Sequence, residues 1–406
     1  MAEDLKFIIV GHVDHGKSTL IGRLLYDTDA LPKEKLEEIK MICDSLGKEF
    51  DFSYIMDSLD EEREQNVTID ISQVFFRTKQ RDYVIIDSPG HVEFVKNMIT
   101  GASQAEAAIL IVDAEEGMKE QTRRHAYILN MLGLKQIIVA VNKMDAIGYS
   151  KDKFDSLKVD ITNFLHEINL NPNYIIPISA REGDFVAKKS QNLSWYSGPT
   201  LLEALDSFHP RISNNLIPLR FAIQDVYKVD KRIAVGKVES GIIKKGQEIT
   251  ILPSMEKTSV VSIEKFLEDN VQDAISGEEI GIVTRDKVFI DRGNIITGND
   301  NLPKVTSEFK AHIFWLDKQP LKEKERVIFR CATQEVPCEI SEFVKIINSS
   351  TLEEIKGNEL KIREVADVII KTESPVVIED FNKVQELGRF VIERGNIVAG
   401  GIITRA

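Results

Sequence analysis

Cysteine is scarce: Cys43, Cys331 and Cys338 are the three thiols in 406 residues. They show no metal-ligand or redox spacing. That excludes a disulfide scaffold or a thiolate metal centre and leaves reduced, inert thiols. Long apolar runs are missing too, and none approaches the roughly 20 residues that a helix needs to cross a bilayer. Positive charge is in deficit, with 52 lysines and arginines against 65 aspartates and glutamates, a net charge of −13. This argues against non-specific coating of nucleic acid or of an anionic membrane, while leaving room for a local basic groove. No segment is of low complexity. The opening Met1-Ala2-Glu3-Asp4 is acidic where a secretory leader would be basic, so a cytoplasmic location is expected.

What is present is ordinary globular material, 43% apolar and 29% charged, long enough for two or three domains with their own cores. The first half alternates apolar runs with helical patterns. The runs are Phe7–Val10, Tyr83–Ile86, Ala107–Val112, Gln136–Val141 and Tyr174–Ile178. They are nearly continuous in apolar residues, as strands covered on both faces must be. Helices are expected at 32–46, with Leu36, Ile39, Ile42 and Cys43 on one side, and at 150–168, with Ser150 as N-cap.

The first run leads into Gly11-His12-Val13-Asp14-His15-Gly16-Lys17-Ser18-Thr19. Strand, glycine loop, then helix is the context of a phosphate-binding P-loop. Gly11 and Gly16 allow the backbone to curl with its N–H groups facing phosphate oxygens. Lys17 is expected to reach the β- and γ-phosphates, and the Ser18 hydroxyl to ligate Mg²⁺ at the helix N-terminus. Asp87-Ser88-Pro89-Gly90 follows a later strand. There Asp87 is expected to hold magnesium and the Gly90 N–H to bond the γ-phosphate. His91 comes next, the candidate catalytic residue that would orient an attacking water. Thr68 lies between the loop and Asp87, positioned to reach magnesium while γ-phosphate is present.

Asn142-Lys143-Met144-Asp145 follows another strand. A carboxylate accepts both N1–H and the exocyclic amine of guanine, and adenine lacks that pair of donors. A site built on such a pair can discriminate by on the order of 10⁴. Ser179-Ala180 ends the last run and can present an N–H to the guanine oxygen. These elements, in this order, predict a nucleotide site for GTP and GDP with Mg²⁺ and a GTP-hydrolysing domain. His125 and Trp195 are read as structural.

After about residue 212 the texture changes to short segments rich in Val, Ile, Thr and Gly: Ile233–Glu239, Gln247–Leu252, Ser259–Phe266, Glu279–Val283 and Val288–Asp291. A second set runs through Glu308–Leu316, Arg326–Cys331, Pro337–Ile347, Ala366–Lys371 and Phe390–Glu393. Such spacing predicts small antiparallel barrels. Arg292-Gly293-Asn294-Ile295 recurs as Arg394-Gly395-Asn396-Ile397, the pattern two related barrels would give. The expected architecture is an α/β P-loop GTPase domain with a doubly wound, mostly parallel sheet (1–212), followed by β-barrels at 213–302 and 303–406.

The motifs resemble those of translational-type GTPases throughout. Gly11–Thr19, Leu24–Pro32 and Phe94–Ala105 are similar to elongation factor Tu and its archaeal counterpart, elongation factor 1-alpha. Leu387-Gly388-Arg389-Phe390 is also similar to elongation factors. Glu120-Gln121-Thr122-Arg123-Arg124-His125, Arg181-Glu182-Gly183-Asp184, Trp195–Leu205 and Lys318-Gln319-Pro320-Leu321 resemble the GTP-hydrolysing large subunit of bacterial ATP sulfurylase, sulfate adenylyltransferase subunit 1. That resemblance, placed first, implies coupling of GTP hydrolysis to adenosine 5′-phosphosulfate synthesis with a separate adenylyl-transferring small subunit. The elongation-factor resemblance implies the alternative, a module that delivers aminoacyl-tRNA or another RNA. The balanced charges after Pro303 favour a protein-docking surface over a phosphate-tracking groove.

Overall fold

The computed structural model describes residues 4–31, 33–45, 47, 51–56, 72–87, 105–209, 216–228, 231–265, 268–349, 351, 353–381 and 383–405. The chain forms two compact units, Met1–Pro210 and Arg211–Ala406. Among the described residues no helix is long and apolar enough to cross a membrane.

The first unit is a six-stranded sheet built from β1 (Leu5–Gly11), β2 (Ser72–Arg77), β3 (Asp82–Asp87), β4 (Ala107–Asp113), β5 (Gln136–Asn142) and β6 (Tyr174–Pro177). Their order across the sheet is β2-β3-β1-β4-β5-β6. β3, β1, β4, β5 and β6 run parallel, and β2 joins β3 antiparallel. Every residue of β4 is buried, which is why an uninterrupted apolar run was needed there. The edge strand β2 is not such a run. It alternates, with Val74 and Phe76 buried and Phe75 facing solvent, and it was not expected from the sequence. The chain visits one side of β1 first and then crosses to β4, so a ligand crevice opens beyond the carboxyl ends of β1, β4 and β5.

Among the described residues this unit also holds helices α1 (Lys17–Asp27), α2 (Lys33–Ser45), α3 (Glu120–Met131), α4 (Lys151–Glu167) and α5 (Leu201–Asp206). Ser150 caps α4 by accepting from Lys153 N–H, an arrangement typically worth about 1 kcal/mol. α4 buries Phe154, Ile161, Phe164 and Leu165. A reciprocal capping box between Thr200 and Glu203 starts α5.

The second unit contains two closed antiparallel barrels, each of six strands. The first comprises β7 (Arg220–Lys228), β8 (Arg232–Ser240), β9 (Glu248–Leu252), β10 (Glu256–Lys265), β11 (Glu279–Thr284) and β12 (Ile295–Thr297). The second comprises β13 (Lys304–Trp315), β14 (Arg326–Cys331), β15 (Gln334–Asn348), β16 (Glu364–Ile378), β17 (Arg389–Arg394) and β18 (Asn396–Arg405). Their strand orders differ. β7 pairs with β8 and β12, whereas β13 pairs with β16 and β18. The repeated Arg-Gly-Asn-Ile therefore marks a shared turn and not a shared topology. Gly293 and Gly395 take φ of +89° and +76° at the entry to each barrel's last strand, a conformation that favours glycine.

The strand expected at Val288–Asp291 is an irregular stretch. Its carbonyls at Val288 and Ile290 accept from the Arg232 guanidinium and not from a neighbouring strand. Between the barrels, Arg220 Nη2 lies 2.6 Å from Glu379 Oε1, with side chains 1% and 11% exposed. Removing one partner of so buried a pair costs about 3–5 kcal/mol. The three cysteines are buried, and burial pushes the Cys331 and Cys338 thiols up to about 12, so both stay protonated and inert.

Candidate nucleotide-binding site

The loop after β1 curls as its glycines require. Gly16 takes φ +88° and precedes α1. A β-carbon there would come within 2.5 Å of Asn142 Nδ2, and one on Gly11 within 2.5 Å of the Ile111 carbonyl. Asp14, exposed at the tip, also has positive φ. The Lys17 amine donates to the Gly11 carbonyl at 3.3 Å, folded over the concavity a phosphate would fill. Ser18 is exposed in the first turn of α1. Thr19 donates its hydroxyl to Asp51 at 3.1 Å, and the same carboxylate oxygen accepts from Ser53 N–H.

Not every residue of the loop faces that concavity. Gln121 Oε1 on α3 lies 2.6 Å from His12 Nδ1 and accepts from Val13 N–H at 3.4 Å. His15 is fully buried, its Nδ1 3.3 Å from Asp113 N–H and 3.4 Å from the Ile111 carbonyl. Burial holds its imidazole below the ordinary histidine range. His15 therefore offers a ligand backbone groups, not its ring. His125 sits one turn after Gln121, bonded to the Gly11 backbone. Burial first, and then the neighbouring Lys17 charge, lower it to about 3, so it is neutral at pH 7 and structural. The Gln121 contact was not anticipated. Its only signal was the i, i+4 spacing with His125 on one helix face.

At the other end Asn142 is 2% exposed. Its Nδ2 donates to the His15 carbonyl and its Oδ1 accepts from Ala180 N–H, both at 2.9 Å. One side chain thus ties the glycine loop to the Ser179-Ala180 strap. Ser179 Oγ donates to Asp145 Oδ1 at 2.6 Å, which orients the carboxylate while Oδ2 and the second lone pair of Oδ1 can accept from a ligand's two donors. Lys143, at φ +62°, extends its amine to Asp113 Oδ2 at 2.7 Å. Burial raises the Asp113 carboxyl, but Lys143 and the N–H groups of Glu115 and Glu116 outweigh it, so the group stays ionised. Trp195 donates to the Tyr149 carbonyl at 3.0 Å and packs on Phe154. It braces the segment after Asp145 and start of α4.

Thr68, Gly90 and His91 lie outside the described residues, as does the side chain of Asp87 at the end of β3. Among the described residues no group of three or more His, Cys, Asp or Glu could cage a metal. Of the residues expected to ligate Mg²⁺, Ser18 is the described one, its side chain exposed in the first turn of α1.

Glycine loop, oriented carboxylate and parallel sheet define a P-loop nucleotide-binding protein with two appended barrels. The elongation factor Tu GTP-binding domain model matches residues 3–211. Elongation factor Tu domain 2 matches 231–297, and the GTP-eEF1A C-terminal domain-like model matches 308–404. A protein named elongation factor 1-alpha from Methanocaldococcus jannaschii is 41% identical over 98% of this chain and 96% of its own. One of the same name from Thermoplasma acidophilum is also 41% identical, with the same shares covered. One from Methanoculleus marisnigri is 38% identical, again over 98% and 96%. The chain belongs to the translational GTPase family of elongation factor Tu and elongation factor 1-alpha. It binds GTP and GDP, with Mg²⁺ as the accompanying ion, and is a GTP hydrolase.

Proposed function

We propose that this chain is an elongation-factor-type GTPase that holds aminoacyl-tRNA or another RNA in its GTP form and lets it go after hydrolysis. The observation that carries this reading is similarity along the whole chain, barrels included, to proteins named elongation factor 1-alpha. The sulfate-activating reading, placed first on the sequence, has no comparable support. Of the stretches behind it, Gln121 and Gly183 serve the G domain itself, one against the glycine loop and the other in the turn after Ser179-Ala180.

In this reading the N–H groups of Gly11–Thr19 cradle the phosphates and Lys17 swings from the Gly11 carbonyl to the β- and γ-phosphates. Asp145 accepts from the guanine edge, Asn142 and Lys143 shape its surroundings, and the Ala180 N–H meets the guanine oxygen. Ser18, Thr68 and Asp87 are the proposed ligands of Mg²⁺, which offsets phosphate charge when bound. His91 orients the attacking water, and Gly90 bonds the γ-phosphate.

The test compares the ester half-life of aminoacyl-tRNA with the protein loaded with a non-hydrolysable GTP analogue or with GDP. Protection by the GTP form alone is expected. No protection in either form, together with GTP-dependent adenosine 5′-phosphosulfate synthesis beside an adenylyl-transferring small subunit, would return the sulfurylase reading.

A further inference from the structure

Arg23 lies on α1, outside every motif read as nucleotide-binding, yet its side chain is only 18% exposed and held by several neighbours. Asp27, one turn later, holds it in a bidentate pair, Nη2 to Oδ1 at 2.9 Å and Nε to Oδ2 at 3.0 Å. Its Cζ sits 5.0 Å from the Phe52 ring centroid and 5.5 Å from that of Tyr26. The remaining face meets the backbone of Gly183. A β-carbon at 183 would fall 2.2 Å from Nη2 and 2.3 Å from Cζ. The planar cation therefore occupies the space that any other residue at 183 would need.

Gly183, at φ +85°, belongs to the tight turn that starts at Ser179. Gly183 N–H donates to the Ser179 carbonyl at 2.8 Å, and Ser179 N–H to the Asp184 carbonyl at 3.1 Å. Glu182 N–H donates to Ser179 Oγ at 3.2 Å. That hydroxyl is the group that orients Asp145. A rigid path thus runs from Arg23 through the Gly183 turn to the Ser179 hydroxyl and the Asp145 carboxylate. Bidentate, stacked arginine is the side chain suited to such a strut, because its plane and both donor directions are fixed.

We propose that Arg23 is a positioning residue for base recognition: by buttressing the Gly183 turn it aims Asp145 and so sets discrimination for the guanine 2-amino group. This rests on the reading of Asp145 as the base reader. Without the strut the turn relaxes, the Ser179–Asp145 hydrogen bond loosens, and the carboxylate no longer meets both guanine donors. Any effect passed through Phe52 and Asp51 to Thr19 of the phosphate loop would instead weaken both nucleotides equally.

The experiment measures dissociation constants of GDP and inosine diphosphate, which lacks the 2-amino group, for the full chain and for Arg23→Met and Asp27→Asn. The unmodified protein should prefer GDP. Arg23→Met should shrink that preference about tenfold by weakening GDP more than inosine diphosphate, which offers the carboxylate N1–H alone, with Asp27→Asn shifting it the same way by less. A purely structural role for Arg23 would weaken both ligands equally, and that result overturns the proposal. Should Arg23→Met fail to fold, an unchanged preference in Asp27→Asn overturns it alone. Absence of any preference in the unmodified protein would instead remove the Asp145 reading.

Discussion

At the phosphate end of the site the positions are demanded by backbone. Gly11 and Gly16 have no room for a β-carbon, and in the proposed reading the cradle is main-chain N–H, joined by Lys17 and Ser18. At the base end the groups are side chains held by further hydrogen bonds: Asp145 by the Ser179 hydroxyl, Lys143 by the Asp113 carboxylate, and Asn142 by the His15 carbonyl and the Ala180 N–H. A backbone cradle is indifferent to the base above it, so affinity and specificity can be lost separately. Asn142 is where the two ends meet.

The strongest break in this comparison should come from Gly16→Val. It forces a β-branched residue into positive φ and against Asn142 Nδ2. Affinity for guanine, inosine and xanthine nucleotides should fall alike, by on the order of 10³ or more, in equilibrium titration. Loss confined to guanine nucleotides would show that the ends are not separable. Asp145→Asn should do the opposite. It should shift preference from guanine to xanthine nucleotides by on the order of 10² and leave phosphate-dependent binding intact, because xanthine carries a carbonyl where guanine has an amine. Competition between GDP and xanthosine diphosphate reads this directly.

The smallest effect concerns what the phosphate end rests on. His125 is lowered to about 3 in the folded chain, against an ordinary 6.5 or so when unfolded. Between these values the unfolded chain binds the extra proton, so stability falls as pH drops from about 6.5 toward 3. Thermal unfolding at pH 7 and pH 5 should therefore show a loss, and His125→Gln should remove about 1–2 kcal/mol of it. An identical pH dependence in the variant would mean that His125 is not buried and neutral beneath Gly11.

The five parallel strands were legible because continuous burial writes a continuous apolar run. β2 was not, since an edge strand with one wet face alternates. β18 was missed for a different reason: Gly400 and Gly401 interrupt its pattern. Gly401 is there because a β-carbon would strike the Phe390 ring at 2.4 Å and the His312 carbonyl at 2.7 Å. The segment 288–291 was misread because Arg232 satisfies its carbonyls as a neighbouring strand would. Likewise, the Glu120–His125 and Arg181–Asp184 stretches carried a likeness to the sulfurylase subunit. The structure uses Gln121 and Gly183 within the G domain.

The sequence by itself determined which chemistry ends each strand: glycine loop, Asp87, Asn142 with Asp145, and Ser179. Those are local facts, written in the few residues between a strand and the next helix. It also determined the alternation of strands and helices, and the change to barrel-forming segments. Only the tertiary structure decided that Gln121 would hold His12 and Val13, that Asn142 would bridge loop and strap, and that Arg23 would press on Gly183. It likewise decided that two barrels sharing a turn would wind their strands in different orders. The physical reason is that such contacts join residues far apart along the chain. Their meeting depends on which strands lie side by side and where the chain crosses the sheet, and no local periodicity encodes either.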